Sequence, residues 1–180
     1  AVPFSMKDLA AGGCLQKLMD AGVAAFKIEG RMKSSLYVSA VVDYYRKKID
    51  GRLSEREAVE RENDIKTIFS RPFTSLYLDP GKKEQVTDPV NVGHRGVVIG
   101  SVEKIVRDKQ GMRWLHFTTN RAIEKHDGIQ VDLENMPRPY GFAVDELWLA
   151  DGRGFPVIEA HAGKQVKDNL PPDAPAIPER

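Results

Sequence analysis

From position 5 to position 69 the apolar residues fall mainly in helical rows, interrupted by one short continuous run. Ser5-Met6-Lys7-Asp8 has the form of a capping box, which predicts a helix from there to about Ala21 with Gly22 as its stop. Gly12-Gly13 weakens the interior of that helix, since each glycine costs about 1 kcal/mol against alanine. Val23-Ala24-Ala25-Phe26-Lys27-Ile28 then predicts a buried strand that ends in a turn at Glu29-Gly30-Arg31. Helix, buried strand, helix is the order of an α/β unit with parallel strands. The rest of the chain offers no matching units, so the neighbours of this strand must come from elsewhere. Val38, Val41, Val42, Tyr45 and Ile49 form one apolar stripe on a second helix from near Ser35 to Gly51. Arg46-Lys47-Lys48 lies in its last turns, where cations suit the helix dipole. Ser54-Glu55-Arg56-Glu57 is a capping box for a third helix that reaches about Phe69. Ala58, Val59, Ile65, Ile68 and Phe69 are its inward positions.

The pattern changes after Ser70. Arg71 to Pro89 holds Pro72, Pro80, Gly81 and Pro89 and predicts an irregular connector. From Val90 to Val166 the alternation is that of strands. Gly96 to Val102 and Lys104-Ile105-Val106 predict a pair, and Asp108 to Gly111 a turn before Trp114-Leu115-His116-Phe117. Further strands fall at Ile129 to Leu133, within Gly141 to Leu149, and at Val157 to Ala160. Many short strands with frequent glycine turns predict a small closed or half-closed barrel. Residues 167–180 carry Pro171, Pro172, Pro175 and Pro178 and predict an extended or disordered tail.

Composition narrows the function classes without choosing one. A formal net charge of +1 gives no bulk attraction to polyanions. No apolar run approaches the roughly 18 residues of a membrane span, and Ala1 to Phe4 lacks the basic and apolar regions of a signal peptide. The expected compartment is the cytoplasm. The chain opens on Ala1 rather than Met, which suits a processed chain or a fragment. One cysteine, Cys14, can form neither an internal disulfide nor a cysteine-only metal site, and is expected as a small core or surface residue.

Phe26-Lys27-Ile28-Glu29-Gly30-Arg31-Met32-Lys33 is the most specific stretch, and it resembles the F-K-I-E-G-R-M-K signature of the U32 peptidase family. The flanks agree with it. Ser5-Met6-Lys7-Asp8-Leu9 is similar to the family's N-S-K-D-L segment, and Asp20-Ala21-Gly22-Val23 to its step into the strand. Tyr37-Val38, Tyr45-Arg46 and Ile49-Asp50 are similar to its following helix. The likeness is looser beyond Phe69, where Ser70-Arg71-Pro72-Phe73-Thr74 resembles the F-N-R-x-F-T connector and Gly93-His94-Arg95-Gly96 the start of a C-terminal β-domain.

The resemblance implies an α+β chain: a helix-strand-helix remnant of a TIM-like barrel in residues 1–70, a linker at 71–89, a small antiparallel β-barrel domain at 90–166 and the tail. It implies that most of the catalytic barrel, with the cysteine cluster that holds an iron–sulfur centre in many members, is missing here. The chain is then the C-terminal part of a U32 protein, without cofactor and inactive alone, with the missing N-terminal barrel as its natural partner. Apolar surface left uncovered would drive association into homo-oligomers.

Within that frame Glu29 and Arg31 sit where barrel enzymes place their active residues, at the C-terminal end of a strand. Glu29 would serve as general acid or base, and Arg31 would fork onto a carboxylate or phosphate. Lys27 and Lys33 would add positive charge for substrate. A plain structural ion pair among these residues is the competing reading.

Two functions compete for the whole protein. By resemblance it is a collagenase-like protease, of which this chain is a fragment, or an iron–sulfur enzyme of RNA or ubiquinone hydroxylation, for which this chain is an accessory domain that binds RNA or a protein partner. The residues offer no catalytic triad or zinc motif for hydrolysis. His94, His116, His126 and His161 match no metal spacing and are expected to be structural. Trp114, Phe117 and Trp148 fit core positions of strands better than a stacking platform for RNA, though small barrels do bind single strands that way.

Overall fold

A computed structural model describes residues 5–79, 81, 84–89, 93–134, 136, 138–152 and 154–177. Ala1–Phe4, Pro80, Val90 and Pro178, which entered the readings of the leader, the connector, the domain start and the tail, lie outside the described residues. The chain divides into two compact units, residues 1–97 and 98–180.

The first unit departs from expectation at once. Ser5 caps no helix; it is buried, and the chain runs extended into a short strand β1, Asp8–Leu9. A 3-10 turn, Ala11–Cys14, leads into a short helix α1, Leu15–Asp20. Gly12 explains part of this. A Cβ there would stand 2.3 Å from the Tyr44 hydroxyl, so the segment packs close against the following helix. Helix α2, Ser35–Ile49, is capped by Ser34, whose hydroxyl accepts the Tyr37 amide at 3.2 Å. Its buried positions are Val41 and Tyr44, while Val42 is exposed, so the inward row is turned by about one residue from the predicted stripe.

Helix α3, Glu55–Ile68, carries the predicted capping box: Glu57 accepts the Ser54 amide at 2.9 Å, and the Ser54 hydroxyl accepts that of Glu57 at 3.3 Å. Ala58 and Ile65 face α2 as predicted, and Val59 does not. After α3, strand β2, Phe73–Thr74, pairs in parallel with β1.

The expected strand at Val23 to Ile28 is not one. Residues 23–30 lie in neither helix nor strand, and Val23, Phe26 and Ile28 are 40%, 39% and 38% exposed. An apolar run of this kind needs strands on both sides to satisfy its amides and cover its side chains. The described residues provide neither.

The second unit is built from strands. β3 (Val102–Arg107), β4 (Arg113–Thr118), β8 (Leu147–Leu149) and β10 (Gln165–Asn169) form one antiparallel sheet in the order β3-β4-β10-β8. Two smaller pairs join β5 (Ile123–Glu124) with β9 (Glu159–Ala160) and β6 (Gly128–Val131) with β7 (Tyr140–Ala143). None of these sheets closes on itself among the described residues. The β3–β4 turn forms as predicted, with the Asp108 carboxylate accepting the amides of Gln110 and Met112 at 2.9 Å each. Gly96 to Ser101 is not a strand. Gly100 passes so close to β4 that a Cβ would meet the Thr118 carbonyl oxygen at 2.6 Å.

The core gathers Leu115, Phe117, Ile123, Val144, Leu147, Val166 and Leu170. The sheet runs past Val166, because β10 includes Lys167 to Asn169, and Leu170 and Ala174 of the proline-rich end are buried in the same core. The two units together make a mixed α+β chain. Among the described residues no helix is long and apolar enough to cross a membrane.

Candidate functional site

The residues singled out between 26 and 34 separate into two groups. Lys27 and Glu29 form an ion pair of 2.7 Å on the surface, with side chains 86% and 73% exposed. The hydrogen bond to Glu29, and then its charge, hold the Lys27 ammonium above its ordinary value. Arg31 is also exposed, in a turn completed by Met32, whose φ of 66° and 94% exposure mark a protruding loop tip. The structure does not join Glu29 with Arg31; it pairs Glu29 with Lys27.

Lys33 goes elsewhere. Its amide closes the turn onto the Gly30 carbonyl at 3.0 Å, and its ammonium lies 3.0 Å from the Phe69 ring centroid and 5.8 Å from that of Tyr37. Cation–π attraction of this kind holds an ammonium against an aromatic face. Phe69 meets Tyr37 edge-on at 6.1 Å and stacks on His94 at 5.7 Å with the planes 17° apart. His94 Nδ1 accepts the Ser70 amide at 3.0 Å, so a neutral ring carries its proton on Nε2.

Beside this stack, Asp8 holds Arg71 from three directions. Its Oδ1 receives Nη2 at 2.6 Å and Nε at 2.8 Å, and its Oδ2 receives the backbone amide at 3.0 Å. The strand pair β1–β2 fixes this clamp, since Asp8 stands opposite Phe73 in its register.

The electrostatics follow from the packing. Desolvation lowers the Lys33 pKa first; Asp8 pulls it back up and Arg71 pushes it further down. Burial raises that of Tyr37, helped by Asp8 and opposed by Arg71. The cluster therefore has two cations and one carboxylate against aromatic faces. Its formal balance is one positive charge in excess. Sequence reasoning named Lys33 but missed Asp8, Tyr37, Phe69, Arg71 and His94 as its companions. The signal was present: four of the five stand in segments that resembled separate family motifs, and Phe69 directly precedes one of them.

Cys14 is buried in the turn before α1. Among the described residues no three His, Cys, Asp or Glu side chains stand together as metal ligands.

Three comparisons bear on identity. Residues 2–88 match the model of peptidase family U32. The chain is 28% identical over 138 residues to the 23S rRNA 5-hydroxycytidine C2501 synthase of Escherichia coli K12, covering 71% of this chain and 20% of that protein. It is 35% identical over 92 residues to the tRNA hydroxylation protein P1 of Bacillus subtilis 168, covering 47% and 22%. It is 38% identical over 78 residues to a collagenase of Porphyromonas gingivalis W83, covering 41% and 19%. The chain thus spans about one fifth of the length of the curated relatives it matches. No solved structure matches it. Residues 2–88, whose motif segments bring Asp8, Lys33, Tyr37, Arg71 and the neighbouring His94 together, thus place the first unit of the chain in peptidase family U32.

Proposed function

We propose that this chain is the C-terminal, substrate-holding part of a U32 protein that hydroxylates RNA. One observation carries the reading. The match to the rRNA synthase covers 71% of the chain, which is more than either unit contains, so the likeness enters both. The match to the collagenase covers 41%, an extent that the first unit alone can hold.

In this reading Val23, Phe26 and Ile28 are covered by the remaining strands of a TIM-like barrel in the same protein. Their exposure in a chain that spans only about one fifth of the length of its relatives supports that. Glu29 and Arg31 then stand at the mouth of the completed barrel, Glu29 moving a proton and Arg31 meeting an anion, with Lys27 beside them. Lys33 and Arg71 hold the anionic part of a substrate from below. An iron–sulfur centre does not fit the described residues, since the single cysteine is buried and stands in no ligand group. Such a centre belongs to other parts of the protein in this account.

Glu29 and Arg31 are exposed, so replacing them leaves the fold of this chain intact. Cells whose gene carries Glu29→Gln or Arg31→Ala are expected to lose at least about tenfold of the hydroxylated pyrimidine that the protein makes, with protein levels unchanged. Nucleoside mass spectrometry of rRNA and tRNA reads this. Full hydroxylation with both variants would remove the two residues from the site. The relatives named collagenase favour peptide hydrolysis as a second reading, and gelatin cleavage by the whole protein, abolished by Glu29→Gln, is the result that would support it.

A further inference from the structure

The four-stranded sheet of the second unit has two unlike faces. Leu115, Phe117, Leu147 and Val166 point into the core. Strand alternation and register therefore place Trp114 and His116 of β4, Lys167 of β10 and Trp148 of β8 together on the opposite face. Lys104 joins them as the partner of His116 on β3. Neither tryptophan belongs to the core cluster, contrary to the sequence expectation, whereas Phe117 does. Every helix described lies within residues 11–68, so among the described residues no helix of this unit covers that face.

The two indoles meet edge to face at 6.0 Å, and the Lys167 ammonium lies 4.6 Å from the ring centroid of Trp114 and 5.0 Å from that of Trp148. Their N–H groups are anchored at the rim: Trp114 donates to Asp108 at 2.9 Å and Trp148 to Glu146 at 3.3 Å. Anchored rims fix the ring planes. The Glu103 carboxylate is engaged by the Thr118 hydroxyl at 2.6 Å and by Gln165. Desolvation, then Lys104 and Lys167, keep His116 below its ordinary pKa against the opposing pull of Glu103. Its Nδ1 has no hydrogen-bond partner among the described residues. The face thus combines π surfaces with two ammonium groups, while His116 Nδ1 is buried beneath it. Residues 98–180 hold 11 Lys and Arg against 13 Asp and Glu, so recognition here must be local rather than a broad attraction.

We infer that this face is a platform for single-stranded RNA, on which unpaired bases stack on the indoles of Trp114 and Trp148 while Lys104 and Lys167 meet the flanking phosphates. The inference rests on the RNA reading above and assigns part of the substrate contact to the second unit. Stacking on aromatic side chains tolerates any base, and flanking cations supply the backbone contact. Two neutralised phosphates give a shallow salt dependence, with a slope of about −1.4 in log affinity against log salt.

Trp114 and Trp148 are the chain's two tryptophans, so intrinsic fluorescence reports on this face alone. The full chain is titrated with a labelled single-stranded RNA of mixed sequence, following tryptophan emission and label anisotropy together. The expected result is saturable quenching that coincides with the anisotropy rise and is much weaker with the same RNA as a duplex. Trp148→Ala is expected to weaken binding about tenfold and Trp148→Phe far less. Lys104→Ala, at an exposed position that tests the idea without touching the fold, is expected to reduce the salt slope by about 0.7. Anisotropy that rises with unchanged emission overturns the platform and leaves the RNA reading standing. Absence of binding in both signals overturns the platform too, and nucleoside analysis of cells then judges the RNA reading separately. Emission that responds to ribonuclease-treated extract but not to RNA overturns it in favour of a protein surface.

Discussion

Replacing Asp168 with asparagine is expected to abolish most of the pH dependence of stability in the strand-rich unit. Asp168 is fully buried on the core side of β10, opposite Leu115 and Leu147. Burial pushes its pKa from 3.8 to about 7, a rise that the Asp145 charge reinforces and the amides of Glu146, Asn169 and Asp145 oppose. Oδ1 accepts the Glu146 amide at 3.3 Å, while Oδ2 has no partner among the described residues. A raised pKa means that the folded state binds the proton more tightly than the unfolded one. Stability is therefore greatest below the ordinary value, falls as pH rises from about 4 to about 7, and levels off above. The loss is about 4 kcal/mol over the whole range and about 3 kcal/mol between pH 5 and pH 8, from 1.36 kcal/mol for each unit of pKa. Urea denaturation at pH 5 and pH 8, followed by tryptophan emission, is expected to show that loss in the natural chain and little of it in Asp168→Asn. A natural chain equally stable at both values would contradict the buried carboxyl.

Arg113→Ala is expected to free the proline-rich end and destabilise the same unit by about 2–4 kcal/mol. The Arg113 guanidinium donates to the carbonyls of Ala174 at 2.6 Å, Pro175 at 3.1 Å, Pro171 at 3.2 Å and Pro172 at 3.4 Å. Its own carbonyl accepts the Leu170 amide at 2.8 Å. Proline carbonyls have no partners within a helix or ladder here, so one planar fork replaces regular structure. Without it, Leu170, Ala174 and Ile177 lose their seat on the core. Arg113→Lys keeps the charge but not the fork and is expected to recover only part of the stability. Hydrogen exchange at the Leu170 and Ala174 amides reads the outcome directly. Protection equal to that of the natural chain would show that the core alone holds the tail.

Local signals were the legible part of this fold. The capping box at Ser54, the stop at Gly51 and the Asp108 turn are short-range physics, and each stands where the sequence puts it. The helix expected from Ser5 failed because a long-range pairing, Asp8 with Phe73, outcompetes a helix already weakened by Gly12 and Gly13. The run from Val23 to Ile28 has strand composition and no strand beside it, which is a property of its surroundings rather than of its letters.

The candidate site behaved similarly. The motif around Glu29 was visible as a block, yet Lys33 leaves that block for Asp8 and Phe69, a fact of packing that spacing alone does not encode. The tryptophans were misread because alternation names two faces of a sheet without saying which one is buried. Position 115 to the inside places 114 and 148 outside.

The central claim, that this U32 chain serves RNA hydroxylation, is tested most directly by deleting its gene and measuring hydroxylated pyrimidines in purified rRNA and tRNA by nucleoside mass spectrometry. The account predicts that a hydroxylated pyrimidine disappears from one of the two RNAs and returns when the gene is restored. Unchanged hydroxylation in both RNAs, together with lost gelatin cleavage, would contradict it and turn the reading toward peptide hydrolysis.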